Sequence, residues 1–491
     1  MKKVVGKRGC AGCFILISIV AVIGWFTLFR TEPTDTSFNG AYRLDDGRLV
    51  IITPREGDVL RYRMMDGQSS ALWPVADAVY ESGPGWQERE PVELNLSFTE
   101  PPDGEPVTEL RWQPDGDPAQ TGRRIDLPEF FSTIPAGDLE LRSKLVLPLG
   151  EPPFPAVVLV HGSGAESAVD TYFMPYLFAA NGIAVLTYDK RGTGGSTGRY
   201  NQNFHLLSDD TVAVVDWLRE RPEIDPNLIH LAGYSQGGWI APLAASKTDA
   251  VHSLLINYGP MVPITEEDRW GYRYALERRG FGDDALAQAD RINEVLGAIV
   301  DHGEDRWDEL EVLLDEAEGK DWFEAIKDSD SMLGFAASSK MPMWMARLYV
   351  RWMNRGDVPF ADRLYDPFPV VAELDNPSLW IFGGEDSSIP TWDSIEKLEI
   401  LQQRGRPIQL ELFPEAEHGI LLFEGDDPGG RRYLGYAPGY LDLQVDWLRN
   451  QSGLTPEGTT DSARPAEATP DSEGPPGAVP QPPSSTASGT S

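Results

Sequence analysis

The stretch Leu228-Ile-His-Leu-Ala-Gly233-Tyr234-Ser235-Gln236-Gly237-Gly238-Trp239 decides the reading of this chain. A continuous apolar run leads into a serine flanked by glycines, and apolar helix-forming residues follow it. The expectation is a strand, a tight turn and a helix, with the serine hydroxyl projected from a strained backbone that only small neighbours permit. Ser235 is therefore a candidate nucleophile.

Outward from this turn, apolar strands alternate with amphipathic segments from about Pro152 onward, as a mostly parallel sheet with helices on both faces requires. Expected strands include Ala156–Val160, Ile183–Tyr188, Ser253–Asn257, Ser378–Phe382 and Ile408–Phe413. Residues from about 261 to 366 break this alternation with successive helical patterns. The first seventy of them carry 21 acids against 8 bases. An insertion there is expected to be a helical cap over the site.

Between about Phe38 and Leu149 the chain instead shows short strands punctuated by Asp46-Gly47 and Asp66-Gly67, both hairpin signals. The expected organisation is a basic end with an apolar anchor at 1–30 and a β-rich accessory domain at 31–138. A catalytic domain with its cap at about 261–366 follows over 139–451, and a disordered Pro/Ser/Thr-rich tail over 452–491.

A serine hydroxyl is a weak nucleophile until a base accepts its proton and an acid orients that base. The chain has six histidines. His230 and His252 fall in strand patterns, His205 at a helix start, His302 in the acidic insertion and His161 in His161-Gly162-Ser163-Gly164. His418, in the loop after the last strand, is the candidate base. Asp386, after the strand ending at Phe382, is the candidate acid, with Glu385 as its rival and Asp393 as a more distant one. Two backbone N–H groups are needed for an oxyanion, and those of Gln236 and Ser163 are expected to supply them.

Taken together, His161-Gly162-Ser163-Gly164, Asp189-Lys190-Arg191-Gly192-Thr193-Gly194-Gly195-Ser196, Gly233-Tyr234-Ser235-Gln236-Gly237, Gly384-Glu385-Asp386 and Glu417-His418-Gly419 resemble the α/β-hydrolases. The likeness is greatest to bacterial esterases of the dienelactone hydrolase-like and serine aminopeptidase-like group, over about Leu139 to Asn450. The resemblance implies an α/β-hydrolase fold, a Ser235, Asp386, His418 triad and ester hydrolysis through an acyl-serine. It also implies no metal or cofactor, and structural roles for Asp189 and Arg191. A peptide or thioester substrate uses the same triad, and a hydrolase fold serving only as a binding module is the reading of another class.

Composition bounds the partners. The formal charge is −35 over 491 residues, which disfavours nucleic acid; a small ester or acyl substrate is the partner that the resemblance implies. Residues 1–30 hold five bases and no acid, so everything after them carries −40. The uncharged run Phe14–Phe29 behind Lys2, Lys3, Lys7 and Arg8 is expected to be an uncleaved anchor in the lipid bilayer. The body would then lie outside the cytoplasm; a cleaved signal is the competing reading. Cys10 and Cys13, the only cysteines, are candidates for acylation or plain apolar residues. The five cap tryptophans Trp270, Trp307, Trp322, Trp344 and Trp352 are expected either to line an acyl pocket or to pack the cap.

Overall fold

The computed structural model describes residues 36–454, apart from 57–58, 100–106, 330, 354–360, 426 and 428–429. The expected anchor at 14–29, both cysteines and the tail beyond Leu454 lie outside the described residues. Among the described residues no helix is long and apolar enough to cross a membrane.

Eight strands form the first unit: β1 Gly40–Leu44, β2 Leu49–Glu56, β3 Val59–Met64, β4 Ser69–Ala76, β5 Val79–Ser82, β6 Leu94–Phe98, β7 Glu109–Pro114 and β8 Gln120–Arg124. Each pairs antiparallel with the next, and β1 also pairs with β8, so the sheet closes into a barrel without edges. Gly47 and Gly67 take positive φ at two of the hairpins, as the Asp-Gly signals predict. Tyr42, Val50, Ile52, Leu60 and Leu72 fill the interior. On alternate positions of β2, Leu49 and Ile51 point outward and join the apolar core beneath the second sheet, so both faces of this strand are buried.

That second sheet has the order β16-β15-β14-β13-β11-β12-β10-β9. Its strands are β9 Glu129–Ala136, β10 Leu139–Val146, β11 Phe154–Val160, β12 Ala184–Tyr188, β13 Ile224–Tyr234, β14 Ser253–Asn257, β15 Ser378–Gly383 and β16 Ile408–Phe413. Pairing is antiparallel for β9–β10 and β10–β12 and parallel across the rest. Helices including Phe204–Arg219, Gly237–Ala245 and Tyr440–Gln451 cover both faces. The arrangement is the α/β-hydrolase fold with an N-terminal antiparallel β unit.

Three boundaries move from their expected places. β9 pairs with β10 over eight residues, so the accessory unit ends near Arg124 and not at 138. At the far end Ser452 is buried and its hydroxyl lies 3.0 Å from His230 Nε2, which puts Ser452 inside the body and not in a tail. The insertion between β14 and β15 has its own core, and its helices run from Ile264–Arg278 through Asp283–His302, Trp307–Ala317, Asp321–Ala325 and Met332–Ser338 to Met343–Met353. Met261 and Tyr365, which the expected limits assigned to it, pack into the main core instead.

Candidate active site

The serine turn is built as its sequence demands. β13 ends at Tyr234, the helix Gly237–Ala245 begins two residues later, and Ser235 sits between them with φ of 52°. That left-handed conformation is costly for a residue with a β-carbon, and dense surroundings hold it. A side chain at Gly237 would strike the Val160 carbonyl, and one at Gly238 would strike Gly259. The glycines let helix, strand and loop approach this closely.

His418 and Asp386 reach the same point from two other loops beyond the carboxyl ends of the strands, where ligands bind in sheets of this kind. Ser235 Oγ lies 3.1 Å from His418 Nε2, and His418 Nδ1 lies 2.9 Å from Asp386 Oδ2. Asp386 is 1% exposed, and its Oδ1 also accepts the backbone N–H groups of Ser388 at 2.8 Å and Ile389 at 3.0 Å. Tyr258 packs edge-on against the imidazole, with centroids 4.8 Å apart. Burial works against a charged His418 ring, but the Asp386 carboxylate outweighs it and holds the group up at about 9. That lies above the ordinary imidazole range.

The rivals are engaged elsewhere. Glu385 faces the cap, accepting from Tyr274 at 3.1 Å and pairing with Arg278 at 3.4 Å. Asp393 lies in the first turn of the helix Thr391–Gln403. His230 is buried between Ser253 and Ser452, and His161 is buried against Gly162.

Ser163 and Gln236 border the same cavity as Ser235 and His418. The Gly162 backbone packs against the serine, since a β-carbon there would lie 3.5 Å from Ser235 Cβ. A residue the sequence reading passed over joins these two segments. Lys190, 1% exposed, donates to the Gly162 carbonyl and to Gln236 Oε1, each at 2.6 Å. Its neighbours are structural in the expected sense: Asp189 accepts from Ser167, Val169 N and Gly195 N, and Arg191 forks onto Asp210 at 2.6 and 2.7 Å. Glu417 was also passed over. It is buried beside His418, pairs with Arg431 at 3.3 Å and accepts from Tyr433 at 2.7 Å.

The cap covers this constellation with a cavity of about 610 Å³. Of the five tryptophans only Trp307 lines it. Trp322 packs in the cap core, Trp270 donates to the Asp386 carbonyl at 3.2 Å, and Trp344 and Trp352 are exposed. Among the described residues no group of three or more His, Cys, Asp or Glu side chains stands close enough to hold a metal ion.

The alpha/beta hydrolase family model matches residues 157–431. Thiohydrolase aneE of Aspergillus aculeatus is 35% identical over 162 residues, 33% of this chain and 46% of that protein. Esterase EstD of Thermotoga maritima is 24% identical over 308 residues, 61% of this chain and 62% of that protein. The chain thus spans about half to three fifths of the length of these relatives. Among solved structures, an alpha/beta hydrolase from Penicillium sp. sh18 is 20% identical with a TM-score of 0.41, covering 67% of this chain and all of that one. With strand order, serine turn and a family match over more than half its length in agreement, the chain belongs to the alpha/beta hydrolases.

Proposed function

We propose that the protein is a serine hydrolase of carboxylic esters, with Ser235 as nucleophile, His418 as base and Asp386 as its orienting acid. One observation carries this reading: the unbroken chain of contacts from Ser235 Oγ through the His418 ring to the buried Asp386 carboxylate. His418 Nε2 takes the hydroxyl proton as Oγ attacks the ester carbon, and the Gln236 and Ser163 amides receive the oxyanion. Collapse expels the alcohol, which leaves with the proton from His418. Water activated by the same ring then releases the acid and frees Ser235. Asp386 fixes the tautomer, with Nδ1–H donating and Nε2 free to accept.

The likeness to a thiohydrolase supports a second reading on the same groups, thioester cleavage. Turnover of p-nitrophenyl butyrate and of its thio analogue by the full chain, beside Ser235→Ala, tests both. Loss of turnover in the variant supports the proposal, equal rates for the two proteins would sink it, and the oxygen-to-sulfur preference chooses between the readings.

The proposal includes a tether: the uncharged run Phe14–Phe29 behind four basic residues holds the enzyme to a bilayer with its body on the far side. Membrane fractionation of the full chain and of a chain beginning at residue 31 tests this. Identical soluble distributions for the two would refute it.

A further inference from the structure

Two cavities meet at His418. The first, of about 610 Å³, reaches Ser235, Ser163 and Gln236 and extends beneath the cap. Away from the reacting groups its walls are largely apolar, with Leu296, Ile299, Leu310, Leu314, Phe335 and Val350 contributed by four different cap helices. The second, of about 370 Å³, shares His418 and Ser388 with the first but touches none of Ser235, Ser163 or Gln236. Its walls come from the cap, from the loops around Ser387 and Glu417, from Tyr433 on the hairpin of β17 Leu421–Glu424 and β18 Arg432–Tyr436, and from Gln87 of the barrel unit.

Ester cleavage divides a substrate in the same way. The acyl part must stay bonded to Oγ with its carbonyl oxygen at the oxyanion donors, so it occupies the space that touches all of these. The alcohol part needs only His418, which hands it a proton, so it lies in space that reaches the base alone. The apolar cavity then holds the acyl chain and the polar one the leaving alcohol.

The walls of the second cavity select a class of alcohol. The Ser388 hydroxyl and the Gln87 side-chain amide make no hydrogen bond among the described residues, so both are available to a ligand. Asp328 and Glu417 line the space, and Arg279, also among the lining residues, has its guanidinium committed to Asp427 at 2.6 Å and to the Ala325 carbonyl. An anionic headgroup therefore meets acids and an engaged cation, while neutral hydroxyls meet unused donors and acceptors.

Resting on the reading of Ser235 and His418 as nucleophile and base, we propose that the substrates are esters of an apolar acyl chain with a small, neutral polyol of the glycerol type. On this reading the barrel unit contributes Gln87 to the leaving-group site. Two ratios of kcat/KM on the full chain test it. With p-nitrophenol as common leaving group, hexanoate should exceed acetate by at least tenfold, since burial is worth up to about fourfold per methylene. With hexanoyl as common acyl group, the glycerol monoester should exceed the methyl ester by about tenfold, because unused polar groups discriminate against a partner without hydroxyls.

Ala336 also lines the apolar cavity, so Ala336→Trp, which fills it, should cut the first ratio, and Gln87→Ala with Ser388→Ala should bring the second toward one. A first ratio near one overturns the acyl assignment. A second ratio near one, or one untouched by the paired substitutions, overturns the alcohol assignment. If Ala336→Trp shifts the second ratio and not the first, the two cavities are wrongly assigned. Fluorophosphonate labelling separates a wrong substrate class from a wrong nucleophile. If Ser235 labels, these ratios judge the substrate class alone. If it does not label and no ester is turned over, the triad reading falls and this one with it.

Discussion

Lys190 is a buried ammonium with no ion-pair partner among the described residues, a costly arrangement unless its protons are well used. Burial draws it down to about 7 against the opposing pull of Glu166. Its grip on the Gly162 carbonyl has a geometric consequence. The peptide between Gly162 and Ser163 is planar and trans, so fixing its C=O toward Lys190 aims the Ser163 N–H the other way. The second contact, to Gln236, holds the side chain of the residue whose amide is proposed as the other oxyanion donor. Lys190→Met is therefore expected to lower kcat by about a hundredfold, the scale of losing one oxyanion donor, while KM changes less than threefold. Rates normalised to fluorophosphonate-titrated serine remove any loss of folded protein, and an unchanged normalised kcat would exclude the positioning role. His418 gives a second prediction at this scale. Because a general base acts as the neutral ring and Asp386 holds His418 up at about 9, the proposed role requires kcat/KM to rise with pH through a limb above the ordinary 6.5. Asp386→Asn removes the largest raising charge and leaves the burial, with Glu417 and Glu267 still opposing it, so the limb should move to lower pH and kcat should fall on the order of 10⁴-fold. A limb unmoved in the variant would show that some other group titrates. The same shift bears on folding. A folded value above the unfolded one gives stability that is fully present below about 6.5 and is lost as pH rises toward 9. Ser235, Asp386 and His418 were legible from motif and chain order alone. Lys190 was not, because its role depends on which carbonyls fall within reach of its Nζ, and no spacing rule encodes that.

At the scale of elements, the acid loop is clamped between cap and hairpin. The cap helix Ile264–Arg278 sends Trp270 to the Asp386 carbonyl and Tyr274 to Glu385. From the hairpin side Arg431, whose side chain is fully buried, donates to the Glu385 carbonyl at 2.9 Å and to Tyr274 at 2.6 Å and pairs with Glu417. Removing Arg431 leaves the buried Glu417 carboxylate without its cation beside His418. Arg431→Ala is expected to cost about 3–5 kcal/mol in denaturant unfolding, with the loss relieved in Arg431→Ala/Glu417→Gln. Equal loss in the single and double variants would show that the pairing is not the source. The parallel sheet and the cap's existence were readable because continuous apolar runs and a 3.6-residue period are local signals. The clamp joins positions 274, 385, 417 and 431, and long-range polar closure leaves no periodic trace. The misplaced boundary near 138 has a related cause: β9 carries exposed Phe130 and Phe131 and lacks the continuous apolar run of the buried parallel strands, and only its pairing partner assigns it to the other sheet.

For the whole molecule, the question is whether barrel and hydrolase are separable bodies. The sequence pattern separates an accessory domain from a catalytic one, but the contacts argue for one cooperative unit. Leu49 and Ile51 of β2 are buried in the same apolar cluster as Tyr176, Phe178 and Tyr440. Around that contact, Arg63 stacks on Phe173 at 4.3 Å, and Arg432 of the hairpin forks onto Glu90 at 2.5 and 2.6 Å. Truncating Ile51 thus opens a cavity at the junction and not inside the barrel, whose own filling residues are Val50 and Ile52. Ile51→Ala is expected to cost about 2–5 kcal/mol and to shift one calorimetric transition as a whole. Val50→Ala should shift the same transition, since a barrel sharing its outer face with the main core cannot melt without exposing that face. Two separate transitions in the full chain, with Val50→Ala moving one and leaving the other, would show that the barrel is an independent domain docked on the hydrolase. A single transition moved by both variants would make the barrel part of the hydrolase core, as a rigid wall at Gln87 requires.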